Sequence, residues 1–330
     1  MEAFLLFLSF AIILAGALLF TNAIEWIGHK LGLGEGAVGS LLAAVGTALP
    51  ETLIAIVALV GATKSEDVAI GAIVGAPFLL ATLAMGLVGL TAFLYRNKRE
   101  QGIELNAHVP TLDRDLAFFM VFFGLALALG FGAPEGLRLV AGILFFVAYV
   151  VYVAWTLRSG GETQPEETLN PLIMARGPRA ATDPPLSIAV IQVLVGLGAM
   201  VGGAHLFVEE LVHVAEDIGA EPIVLSLILA PLATELPEKV NSFFWVREGK
   251  DSLALGNITG AMVFQSTIPI GIGLIFTEWE VSGNASISMA LGLAGGLLAY
   301  WALRLRDRFE LLPVLAWLAL YASFIVVVSV

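Results

Sequence analysis

Long apolar runs, separated by short polar or charged stretches, follow one another along the whole chain. A window of about 20 residues, the length that a helix needs to cross a bilayer, separates ten such runs. They lie at residues 3–26, 36–60, 67–95, 113–132, 136–157, 185–211, 222–245, 252–277, 285–303 and 310–329. The pattern predicts an all-α polytopic membrane protein with about ten transmembrane helices.

One long connection without an apolar run divides the chain into two parts. Residues 158–184 are rich in Glu, Thr, Pro and Gly, a composition typical of a solvated linker. The sequence thus predicts a first five-helix repeat at 1–157, a cytoplasmic linker at 158–184, and a second five-helix repeat at 185–330. We interpret the linker as a flexible tether with no function of its own.

A short polar phrase interrupts the second and the seventh apolar runs. It reads GTALPE at Gly46–Glu51 and ATELPE at Ala233–Glu238. An ionisable group at bilayer depth costs roughly 2.5–3.5 kcal/mol, so it is a functional candidate. Each proline also removes the helical donor of the carbonyl four residues earlier, and carbonyl, hydroxyl and carboxylate oxygens suit a hard cation. The two phrases therefore predict a cation site.

The two phrases belong to a longer internal repeat. Thr47, Pro50 and Glu51 recur 187 positions later as Thr234, Pro237 and Glu238. After a two-residue gap, glycines, an alanine and a threonine between residues 71 and 82 recur 185 positions later. Because each half has an odd number of spans, the second half must be inverted relative to the first. Inverted repeats with interrupted helices are typical of secondary transporters.

Composition and charge narrow the function classes. Hydrophobic residues make up 58% of the chain and charged residues only 13%, while the net charge is −12. The acidic balance argues against a nucleic-acid partner, and the absence of cysteine excludes disulfides and thiolate metal sites. We expect inorganic cations and the lipid bilayer as partners, with a monomer and a homodimer both compatible with the sequence.

The basic residues predict the orientation. Of the 16 lysines and arginines, only Lys64 and Arg138 fall on the face that carries the termini, while Lys239 lies within a span. The others cluster at the opposite face, which the positive-inside rule assigns to the cytoplasm. We expect a multi-pass protein of the cell (inner) membrane with both termini outside and a retained first helix.

At these motifs the sequence resembles the cation/calcium exchanger superfamily, in particular its sodium/calcium exchanger type. The matching stretches run from Gly36 to Thr82 and from Pro222 to Thr267, with the Thr-x-x-Pro-Glu motif in each. The resemblance implies a cation antiporter in which Glu51 and Glu238 bind calcium. It also implies that Thr47 and Thr234 contribute backbone or hydroxyl oxygens.

Several positions depart from the pattern of that family. Serine usually follows the motif threonine, whereas this chain has Ala48 and Glu235. Further along, Leu80 and Gln265 stand where an Asn or Asp ligand is expected, and the nearby family serine is Ala76 in one copy and Ala261 in the other. We therefore predict that the site does not bind three sodium ions, and we add Glu235 and Gln265 to the candidate metal ligands.

Lys239 brings a positive charge next to the second phrase. It lies four residues after Glu235, a spacing that places the two on one helical face. If they pair, Glu51, Glu235, Glu238 and Lys239 together carry a net charge of −2, which balances one divalent cation, two monovalent cations or two protons. Alternatively, the lysine extends its aliphatic stem toward a polar surface, or Pro237 turns the two charges apart.

The leading interpretation is a secondary antiporter that exports calcium or a related divalent cation by alternating access. Sodium or protons would be the counter-ion, and no resident cofactor is expected. A proton-coupled exchanger is the nearest alternative, and a cation channel is a more distant one. An intramembrane enzyme is disfavoured because the spans carry no persuasive catalytic motif such as His-Glu-x-x-His.

Overall fold

A computed structural model describes residues 2–30, 43–105, 109–158, 169–176, 182–281, 283–306 and 308–328. Within these ranges the chain is helical apart from its connections, and no sheet is formed. The helices are α1 (Glu2–Lys30), α2 (Ala43–Val60), α3 (Glu66–Leu94), α4 (Val109–Leu129), α5 (Glu135–Arg158), α6 (Leu186–Ile218), α7 (Pro222–Arg247), α8 (Asp251–Phe276), α9 (Gly283–Ala299) and α10 (Leu311–Val328).

These bounds follow the apolar runs of the sequence closely. Seven of the described helices are long and apolar enough to cross a bilayer, and α2 and α7 contain shorter apolar stretches. The largest departure is α6, which continues past its apolar run to Ile218 and ends at Gly219 in the left-handed conformation. The prediction of an all-α membrane protein with about ten spans is confirmed.

The packing of the helices repeats between the halves when each helix is matched with the one five places later. The pair α3–α7 corresponds to the pair α8–α2, and α3–α9 corresponds to α8–α4; all four are in contact. The same holds for α5–α8 and α10–α3. The pairs α1–α6 and α4–α9 map onto themselves. This contact pattern is what two five-helix repeats related by a pseudo-twofold axis produce, and the odd number of spans predicted for each half makes such repeats inverted.

The helix interruptions lie at matching positions of α3 and α8, not at the prolines of the two phrases. Helix α2 continues through Pro50, and α7 is continuous from Pro222 to Arg247. Helix α3 instead contains a π-helical turn at Leu80–Ala84, and α8 is interrupted after Gln265 before resuming at Ile268. The sequence interpretation was therefore wrong about where the backbone breaks, although the breaks still obey the repeat.

Two glycines of α3 lie where this helix crosses α7 closely. A Cβ atom at Gly71 would lie 2.6 Å from the carbonyl oxygen of Ile223 on α7. One turn later, a Cβ atom at Gly75 would lie 2.4 Å from the carbonyl oxygen of Leu227. The α3–α7 crossing therefore requires glycine at both positions.

We expect Gly71→Ala to destabilise the protein and the control variant Gly198→Ala to leave its stability unchanged. Forcing a methyl group into a closely packed crossing costs about 1–3 kcal/mol. Gly198 lies on an exposed face of α6, and a Cβ atom there would meet no described atom within 4 Å. Thermal unfolding of the two purified variants in detergent measures the difference. Equal melting temperatures for both variants would contradict the requirement for glycine at position 71.

The described part of the linker is packed against the helices, contrary to its interpretation as a flexible tether. Leu172 is buried with Ala23, Trp26 and Ala189 of α1 and α6. The backbone N–H of Met174 donates to Gln192 at 2.8 Å, and the indole N–H of Trp26 donates to the carbonyl of Asn170 at 2.9 Å. Residues 169–176 therefore form a strap across one end of the α1–α6 pair.

Candidate cation site

Glu51 is a buried acidic residue in the described part of the membrane core. It lies on α2 directly after Pro50, and its side chain is only 1% exposed. Neither carboxylate oxygen has a hydrogen-bond partner among the described residues. Burying a carboxylate costs several kcal/mol unless a charge or a set of donors compensates it. A buried acceptor of this kind is what a transported cation requires.

Helix α7 brings Thr234 and Glu235 into the same region, because α2, α7 and α8 pack against one another. Both residues are buried. The Thr234 hydroxyl donates to the carbonyl of Ala230 at 2.8 Å, which leaves its oxygen lone pairs available as acceptors. The Glu51 charge interacts with the charges of Glu235 and Lys239 across the contact between α2 and α7.

Gln265 joins this group from the point where α8 is interrupted. Its side-chain amide nitrogen donates to Glu235 Oε1 at 2.7 Å, although the two residues are 30 positions apart in the sequence. Its own carbonyl oxygen, Oε1, is buried without a partner among the described groups. The residue at the helix interruption therefore places an unpaired amide oxygen near the Glu235 carboxylate.

Lys239 forms the ion pair that the sequence allowed. Its Nζ lies 3.4 Å from Glu235 Oε2, and both side chains are almost completely buried. Because the ammonium group is enclosed, Lys239 does not extend to a polar surface. The continuous course of α7 through Pro237 keeps the two residues on one helical face. The pairing interpretation, which the sequence left open, is the one that the geometry supports.

Two of the candidate ligands are not part of this description. Residues 47 and 238 belong to described helices, but their side chains are not described, so the ligand roles of Thr47 and Glu238 stay predictions. Of the six candidates, the structure brings together Glu51, Thr234, Glu235 and Gln265.

The positions that lack family ligands are filled by apolar packing. Ala48, Ala76, Leu80 and Ala261 are all essentially inaccessible to solvent. Ala48 packs with Val263 and Phe264, in the last turns of α8 before its interruption. These side chains supply no oxygen, and the expectation that the site does not bind three sodium ions stays a prediction.

Sequence analysis missed a second buried polar cluster, centred on Asp115. This residue of α4 accepts hydrogen bonds from Tyr152 of α5 at 2.6 Å and from Thr259 of α8 at 2.9 Å. The neighbouring Arg114 lies 3.3 Å from the same carboxylate. The sequence does carry a signal for this cluster, because Asp115 is an acidic residue inside an apolar run. Because its acceptors are paired, we interpret it as an anchor for α8 and not as a ligand.

Comparisons with known proteins show which family the chain resembles. The family model described as "Sodium/calcium exchanger protein" matches residues 1–158 and 188–330. The "Putative antiporter CaxA" of Alkalimonas amylolytica is 24% identical over 79% of this chain and 76% of its own length. The "Sodium/calcium exchanger MaX1" of Methanosarcina acetivorans is 24% identical over 84% of both chains. The crystal structure of the "H+/Ca2+ Exchanger CAX" superposes with a TM-score of 0.73 at 19% identity, covering 98% of this chain and 81% of that one.

Inverted repeats around buried carboxylates define the class of secondary cation transporters. More specifically, the chain belongs to the sodium/calcium exchanger protein family, because the family model covers nearly its whole length. It is accordingly a multi-pass membrane transporter and not an enzyme. The resemblance seen in the two Thr-x-x-Pro-Glu motifs is confirmed.

Proposed function

We propose that this protein is an antiporter that exports calcium or a related divalent cation by alternating access. Glu51 and Glu238 are the central ligands near the bilayer midplane, and Thr234, Thr47 and Gln265 supply further oxygens. The observation that carries this proposal is the buried Glu51 carboxylate, which lacks a hydrogen-bond partner among the described residues and faces the charges of α7. The names of two relatives support this proposal, since CaxA is called a putative antiporter and MaX1 a sodium/calcium exchanger.

The charge of the site favours exchange of one divalent cation for two protons or two monovalent cations. Glu235 is paired with Lys239, so the two central carboxylates are left to balance the cargo. Such an exchange moves no net charge. The apolar side chains at Ala48, Ala76, Leu80 and Ala261 argue against three bound sodium ions, which need several oxygens each. Protons are therefore our first choice of counter-ion, and sodium is the second because of the relative MaX1.

We further propose the orientation that the basic residues predict, with the linker face in the cytoplasm and both termini outside. The connections that this orientation assigns to the cytoplasmic face contact each other. Arg99, in the connection between α3 and α4, pairs with Asp251 at the start of α8. Phe309, which precedes α10, donates its backbone N–H to Ile103 on that same face.

Calcium-45 transport in proteoliposomes tests the cargo and the counter-ion together. We expect calcium uptake driven by an opposing proton gradient, with a rate that stays the same when potassium and valinomycin impose a membrane potential. One charge moved across 100 mV is worth about 2.3 kcal/mol, so an electrogenic exchanger would respond strongly. Transport that follows both a sodium gradient and the voltage would refute electroneutral exchange. Calcium flux without any counter-ion gradient or counter-flow would indicate a channel.

A further inference from the structure

The Lys239 ammonium group is buried beside Glu235, whose Oε2 also lacks a hydrogen-bond partner among the described residues. A lysine ammonium group has three N–H donors, and none of them makes a hydrogen bond to a described residue. Its closest approach is the 3.4 Å contact with Glu235 Oε2. A buried lysine that is held by charge alone, without directed hydrogen bonds, resembles an ion in a site more than a structural crosslink.

The acceptors around it are of the type that binds a cation. Within the described residues, buried oxygens without hydrogen-bond partners include both oxygens of Glu51, Oε2 of Glu235 and Oε1 of Gln265. Glu51 interacts electrostatically with both Glu235 and Lys239, and Gln265 is bonded to the other oxygen of Glu235. Carboxylate and amide oxygens grouped in this way are ligands for a hard monovalent or divalent cation.

We propose that Lys239 is a built-in monovalent cation of the transport site. Its ammonium group occupies the place that a mobile monovalent ion would take beside Glu235. The proposal rests on the proposed antiport function and deepens it, since it fixes how many charges the transported ions must supply. Glu235 then interacts with Lys239 and Gln265 and does not bind the transported ions. Glu51 and Glu238 remain as the carboxylates that bind them.

The geometry of α7 keeps the Lys239 ammonium group in the place of the mobile ion. Glu235 and Lys239 are one helical turn apart, so the ammonium group stays beside Glu235 in every state that preserves this helix. The amide of Gln265 holds the opposite oxygen of Glu235 and orients the carboxylate toward the lysine. A tethered charge cannot be released on either side of the membrane, so it adds nothing to the number of ions moved.

The test is whether removing the lysine creates a sodium site. In Lys239→Met the buried Glu235 charge loses its partner, and a sodium ion should take its place. We expect purified Lys239→Met to bind about one more sodium-22 ion per protein than the wild type. Its melting temperature should also rise when choline chloride is replaced by sodium chloride at equal ionic strength, because binding to the folded state stabilises it.

Two matched variants separate this proposal from a structural role. Lys239→Arg keeps the tethered charge and should gain no sodium ion. The double variant Glu235→Gln with Lys239→Met removes both charges and should also gain none, while folding equally well in either salt. A Lys239→Met protein that is destabilised to the same extent in both salts would overturn the proposal. Extra sodium bound by the double variant would overturn it as well, since the ion would then not be held by Glu235.

These readouts do not depend on calcium transport. A wild-type protein that moves no calcium, together with a Lys239→Met protein that gains sodium, would reject the antiport function and retain the role of Lys239. Normal calcium exchange by the wild type, together with no gain of sodium in Lys239→Met, would retain the function and reject the inference.

Discussion

Replacing Glu51 with glutamine should abolish divalent-cation transport while leaving the protein folded. The carboxylate is buried and has no hydrogen-bond partner among the described residues, so the amide replaces it without breaking a described hydrogen bond. A unit charge about 4 Å from a cation is worth about 4 kcal/mol at an effective dielectric constant of 20. Its loss should reduce transport by at least about a hundredfold. The melting temperature should hold or rise, because a neutral amide is cheaper to bury.

Calcium-45 uptake into proteoliposomes measures this loss, and Glu238→Gln should reproduce it. Glu248→Gln is a suitable control, because it removes an acidic side chain that is more than half exposed on the loop after α7. The control should transport at the wild-type rate. Near-normal transport by both Glu51→Gln and Glu238→Gln would contradict the assignment of the central carboxylates.

Removing Asp251 should cause the largest loss of stability. Its two carboxylate oxygens accept hydrogen bonds from Arg99 at 2.9 and 2.7 Å, and both side chains are fully buried. The same guanidinium group donates to the carbonyl of Val246 at 2.6 Å. Without Asp251 a buried positive charge remains, and breaking a buried ion pair in this way costs about 3–5 kcal/mol.

The neighbouring surface pair provides the comparison. Lys250 lies 2.8 Å from Glu248, but both side chains are more than half exposed, and such pairs contribute about 0–1 kcal/mol. Thermal unfolding in detergent should therefore show a large decrease in melting temperature for Asp251→Ala and almost none for Glu248→Ala. The combined change of Arg99→Met and Asp251→Leu should recover much of the loss, since no unpaired charge is left. An equal decrease for Asp251→Ala and Glu248→Ala would show that the buried pair contributes no more to stability than the exposed pair.

The sequence by itself determined the helices and most of the candidate ligands. A bilayer imposes a length of about 20 apolar residues on every span, so local composition was enough to place α7 at residues 222–245, against the observed Pro222–Arg247. An ionisable residue inside such a run is rare enough to mark Glu51 and Glu235 without any structure. The repeat offset then related the two halves and predicted their inversion.

Only the tertiary structure decided which of these groups meet. The contact of Gln265 with Glu235 depends on how α8 is rotated against α7 and on where α8 is interrupted, and neither is written in local composition. The choice between pairing and extension of Lys239 required knowing that α7 continues through its proline. Asp115 and the strap at residues 169–176 were underestimated for the same reason. Their roles come from partners on distant helices, and hydrophobic periodicity reports burial without reporting neighbours.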